Sequence, residues 1–168
     1  MLLGGALVVL GCFLFLMAAG LLTRGAGRAF PALYGFHAVL VAPLYAFLFS
    51  VVTARTRGVV ELTIAVALFA LVLGAMSPTM LWGIALAYLI ALAVYGATRG
   101  SRFAGAVVFG AAAYPVFVGL GFATHAIQLS SLTTLDTLAR YALLVLVAVL
   151  LSLAGTLLSR YLERRLSR

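Results

Sequence analysis

The side chains able to do chemistry are scarce in this chain, and their placement forms a pattern. His37 sits in the stretch FPALYGFHAVLVAPLY (residues 30–45) with Tyr34, Tyr45, Pro31 and Pro43. A segment that only had to sit in lipid would need none of these. The second histidine, His125, is followed by Gln128, Ser130 and Ser131, and the only tryptophan, Trp82, lies in GAMSPTMLWG after Ser77 and Thr79. Asp136 and Arg140, in TLDTLARY, are four apart and share one helical face. Imidazole, indole, phenol and amide groups gathered at one level would suit a planar, hydrogen-bonding small molecule.

Other chemistries lack their residues. There is no glycine-rich GK[ST] loop to cradle a nucleotide. There is no HExxH, and the two histidines are 88 residues apart without a clear third ligand, so neither a metal nor a cofactor is expected. No serine stands in a nucleophile context, and the three acidic residues, Glu61, Asp136 and Glu163, are too scattered to form the pairs that metal-dependent lipid transferases use. Cys12, inside an apolar run, reads as a small packing residue. The chain is therefore not expected to be an enzyme.

The elements that must position these groups follow from composition. Of 168 residues, 66% are hydrophobic and 8% charged, against about 25% charged in a soluble domain. Too little polar surface remains to cover a globule in water. Six apolar segments stand out, at 2–22, 31–53, 59–76, 79–98, 103–126 and 137–158. Each approaches the roughly 20 residues needed to cross a bilayer, and only helices or closed barrels satisfy their backbone there. The expectation is an all-α membrane protein, a single bundle of six transmembrane helices over residues 1–168. The first segment lacks a positive leader and has an apolar core longer than a signal peptide's, so it is read as a retained span.

Orientation comes from the basic residues, all arginine. Arg55, Arg57, Arg99, Arg102, Arg160, Arg164, Arg165 and Arg168 fall on the side shared with the N-terminus, whereas Arg24, Arg28 and Arg140 fall opposite. The imbalance places both termini in the cytoplasm, with the chain multi-pass in the cell membrane. Topology and anionic headgroups explain the +8 net charge without nucleic acid. The tail SRYLERRLSR is expected to continue the last helix into the interface. With this orientation Tyr34, His37, Trp82, His125, Gln128 and Arg140 all fall in the outer third, as candidates for substrate binding. Alternatives stay open at each: Trp82 suits an interfacial belt, His125 a solvated helix end, His37 a structural hydrogen bond, and Asp136 with Arg140 a helix-start pair. Glu61 is expected to pair with Arg55 or Arg57.

The first span is rich in small residues, and Gly4, Gly11, Ala18 and Ala19 are candidates for close helix docking, within the bundle or against a partner. A second run of this kind, GAAAYPVFVGLG, carries Pro115, expected to kink its helix. With no internal repeat and a midplane nearly free of charge, the chain is expected to work with partners; a lone transporter would show related halves with broken helices.

The stretch FPALYGFHAVLVAPLYAFLFSVVTARTRG, followed by LVLGAMSPTMLWGIALAYLIALAVYG and FAGAVVFGAAAYPVFVGLG, resembles the S components of energy-coupling factor (ECF) transporters, of the Trep_Strep (MptS-like) and YkoE-like groups. The likeness spans about residues 30 to 122. It implies a substrate-capture subunit that takes a vitamin or vitamin precursor from outside. Its partners would be a transmembrane coupling subunit and two cytoplasmic ATPases, which supply the ATP hydrolysis. The rival reading is a structural or assembly membrane protein without a small ligand.

Overall fold

A computed structural model of the chain describes residues 36–75, 77–124 and 135–166. These form five helices and no strand: α1 (Phe36–Arg55), α2 (Val59–Gly74), α3 (Pro78–Ala97), α4 (Arg102–Ala123) and α5 (Leu135–Leu166). They fall on the second to sixth of the expected apolar segments. The first span, and with it Gly4, Gly11, Ala18 and Ala19, lies outside the described residues, as do Tyr34, His125 and Gln128. Four helices, all but α2, have the length and apolarity to cross a membrane. Helix α2, at 16 residues, covers about 24 Å. Helix α5, at 32 residues, covers about 48 Å against a hydrocarbon core of about 30 Å, so its tail continues the helix well past the apolar slab.

The ends of the helices are set by short polar signals. Ser101 caps α4, its hydroxyl accepting from the Ala104 N–H at 3.3 Å. Pro78 opens α3 at a position where a missing N–H costs nothing. At the start of α2, Glu61 reaches back to accept the Arg57 backbone N–H at 2.9 Å. Among the described residues Glu61 makes no ion pair with Arg55 or Arg57; its carboxylate caps the Arg57 main chain instead. Helix α3 closes with the Gly100 N–H on the Tyr95 carbonyl (2.8 Å) and the Arg99 N–H on the Gly96 carbonyl (3.1 Å), the paired bonds of a Schellman cap. That motif puts one residue in the left-handed region. Here it is Arg99, at φ 54°, and Gly100 after it is also at positive φ, 81°. Arg99→Gly is expected to stabilise the folded protein by about 1 kcal/mol, because a Cβ in this conformation clashes with the following carbonyl. A thermal melt in mild detergent would show a rise; an unchanged or lower midpoint would contradict the strain.

Helix α4 is the hub, packed on α1, α3 and α5; α1 also lies along α5, while α2 rests on α3 and barely meets α1. Helices α1 and α5 run parallel, since Ala42 and Pro43 meet the level of Ser152 and Gly155, and Ser50 meets Ser159. The approach is close. A Cβ on Gly155 would fall onto the Pro43 carbonyl, and one on Gly110 of α4 onto the Ala42 carbonyl and Ser152 Oγ. Alanines continue this seam at Ala38, Ala42, Ala46 and Ala148, all fully buried. Beyond it, Tyr45, Phe49, Tyr88 and Phe109 form an aromatic core with ring centroids 5.3 to 6.5 Å apart.

Hydroxyls buried near the arginine-bearing end are satisfied. Thr53 donates to the Phe49 carbonyl (2.6 Å), Ser152 to Ala148 (2.7 Å) and Thr156 to Ser152 (2.8 Å), all within their own helices. Ser159 donates across the seam to Ser50 Oγ at 3.0 Å. The outer surface is the reverse of a soluble protein's. Val60, Leu68 and Val72 of α2, Leu86 and Leu89 of α3, and Leu143, Leu146, Leu150 and Leu157 of α5 all face outward. Continuous aliphatic faces of this extent belong against hydrocarbon.

Candidate ligand site

At the end of the bundle away from Arg55, Arg99 and Arg160, three helices bring polar groups into the core. His37 enters on the first turn of α1 and meets Phe117 of α4 edge to face, with centroids 4.9 Å apart and an interplanar angle of 73°. Phe117 is buried, its ring lying over Gly83 of α3, where a Cβ would overlap it. One turn earlier on the same face of α4 is Tyr114, 1% exposed. Its ring is 6.4 Å from that of Tyr141 on α5.

The Tyr114 hydroxyl is buried and has no hydrogen-bond partner among the described residues. Leaving such a group unpaired costs about 1–3 kcal/mol, and most native hydroxyls avoid it. Tyr114 lies about 18 Å along α4 from Arg102, well inside the slab and too deep for an interfacial belt. Its neighbour Pro115 has no N–H, which frees the Ala111 carbonyl from the helical ladder. The Tyr114 phenol, with the Phe117 ring one turn on, is therefore the group here that could meet a neutral, partly aromatic ligand with a hydrogen-bonding edge. Among the described residues no three His, Cys, Asp or Glu gather as metal ligands.

The other sequence-chosen residues stand apart from this cluster where they are described. Trp82 is 60% exposed on the first turns of α3, in the position of an interfacial ring, while its neighbour Gly83 takes the inward face. Arg140 bonds Asp136 at 2.8 Å with both side chains largely in the open. This is the four-residue pair that the spacing anticipates, and it is worth little so exposed. Sequence reasoning passed over Tyr114, Phe117 and Tyr141. The available signal was a tyrosine in the middle of an apolar span, beside a proline and three residues before a phenylalanine.

Comparison with protein families, with curated proteins and with solved structures finds no match. The fold and its surface define the class on their own terms: an all-helical protein with apolar helices of membrane-spanning length.

Proposed function

We propose that this chain is the substrate-capture subunit, or S component, of an ECF-type importer. In this reading it has six spans, lies in the cell membrane with both termini cytoplasmic, and takes up a vitamin-like molecule from outside. It hands the molecule on by reorienting against a transmembrane coupling subunit that two cytoplasmic ATPases drive. The observation that carries the reading is the Tyr114 hydroxyl, buried without a partner among the described residues and beside the aromatic wall that receives His37. A group so placed has a use if a ligand completes it. The sequence likeness over residues 30 to 122 supports the same reading. Tyr34, His125, Gln128, Trp82 and Arg140 remain candidate contacts in the loaded state, and Gly4, Gly11, Ala18 and Ala19 candidate docking positions for the coupling subunit.

The second reading, a structural membrane protein with no small ligand, is favoured by Trp82 facing outward and Arg140 already paired. Mild-detergent affinity purification from the native host, with mass spectrometry of what comes along, separates the two. Two ATPases, a coupling subunit and a retained small molecule are expected; a clean, ligand-free chain after stabilising extraction sinks the importer reading. With the retained molecule in hand, Tyr114→Phe is expected to lower its affinity about tenfold. The same change should leave the empty protein as stable or slightly more so, because the orphaned hydroxyl is gone. His37→Ala is likewise expected to weaken binding without unfolding. Unchanged affinity in a titration would remove either residue from the site.

A further inference from the structure

We propose that the turn between α3 and α4, closed over by the last turns of α5, binds the headgroup of an anionic phospholipid. This inference is independent of the importer reading. It rests on three arginines, Arg99, Arg102 and Arg160, that share one corner of the bundle. The corner is assembled by Arg160 of α5, whose guanidinium lies 4.7 Å over the ring of Phe103 on the first turn of α4. Stacking occupies the face of the guanidinium and leaves its N–H edge for a planar acceptor such as a phosphate.

Two features of this corner are unfavourable in the bare chain, and an anion at the turn would offset both. Arg99 occupies the left-handed position of the Schellman cap, where glycine would be less strained. Arg102 stands at the first position of α4, where the positive end of the helix dipole repels a cation. A phosphate at the turn would attract both side chains and the dipole together. No carboxylate among the described residues pairs with Arg99, Arg102 or Arg160. The acidic residue nearest along α5, Glu163, has one carboxylate oxygen buried. Next to the corner, Leu157 and Tyr161 of α5 are 57% and 51% exposed, on the surface along which acyl chains would run. Leu157 supplies the aliphatic part of this wall, which distinguishes a lipid from a free phosphate, while the Tyr161 ring carries the Arg165 guanidinium 5.1 Å above it.

The test is native mass spectrometry of the full chain in a zwitterionic detergent, with phosphatidylglycerol and phosphatidylcholine of identical chains as probes. Phosphatidylglycerol is expected to be retained at least about tenfold better, with Arg102→Gln and Arg160→Gln each reducing its affinity about fivefold. Arg57→Gln, on the turn between α1 and α2, should leave it unchanged. Arg99→Gly gives the sharpest outcome: a higher melting midpoint without lipid, together with a smaller rise when phosphatidylglycerol is added. Equal retention of the two lipids would overturn the proposal. An equal loss in Arg57→Gln would also overturn it, because the attraction would then be diffuse charge. Inorganic phosphate stabilising the chain as much as phosphatidylglycerol would replace the lipid with a free anion.

Discussion

Gly155→Ala is expected to destabilise the bundle by about 3 kcal/mol, at the upper end for an overpacked core. The added methyl would land on the Pro43 carbonyl, and backbone cannot rotate aside as a side chain can. Helices α1 and α5 would have to separate along their length. The Ser159 to Ser50 bond is in the same seam and would be strained with it. Gly119→Ala on α4 is the control, since a Cβ there meets nothing within 4 Å. It should be neutral or mildly stabilising through helix propensity. The comparison is a denaturation series in mixed micelles, and equal midpoints for the two variants would show that the seam is looser than drawn.

The second large effect centres on Phe117. Truncating this buried ring to alanine is expected to cost about 3–5 kcal/mol. The ring touches His37 on one side and covers Gly83 on another, so three helices lose contact at once. Gly83→Ala alone should cost about 1–3 kcal/mol, since its methyl needs space that the ring occupies. In the Phe117→Ala background the same methyl enters the vacated space, and the cost should vanish or become a gain. A double-mutant cycle reads this directly. Strict additivity would mean that the ring and the glycine are not in contact.

Much of the bundle could be read from the chain before any coordinates. The observed helices begin within two residues of the expected spans at 59, 79, 103 and 137, because long apolar runs broken by Arg, Gly and Pro leave a membrane chain few alternatives. The i,i+4 link of Asp136 to Arg140 was legible for the same local reason. What could not be read is which face each helix turns inward. In water the inward face is the apolar one; here nearly every position is apolar, so periodicity carries no direction. Trp82 and Gly83 are neighbours, yet one faces outward and the other lies under Phe117. The inward faces are marked by small residues that permit close approach, Ala42, Gly110 and Gly155; the run from Gly110 was legible as a small-residue stretch, but Ala42 and Gly155 went unweighted because hydropathy does not see size. Tyr114 was missed for a related reason, since a hydroxyl in an apolar run changes the average very little.

The pairing of α1 with α5 also sets an order of events during biogenesis. Ser50 and Ser159 are 109 residues apart, and at about 5–20 residues per second the ribosome needs roughly 5–20 s to make the second after the first. Through that interval the alanine-rich, hydroxyl-bearing edge of α1 lacks α5, and α4 becomes available to it only once residues 102–123 have been made. A nascent chain arrested after α4 would present this edge to lipid or to whatever insertion factor shields it. Site-specific crosslinking from position 46 in such an arrested chain would capture that neighbour, and release of the full-length chain should exchange it for α5. The last described helix is thus the one that closes the first described one into the bundle.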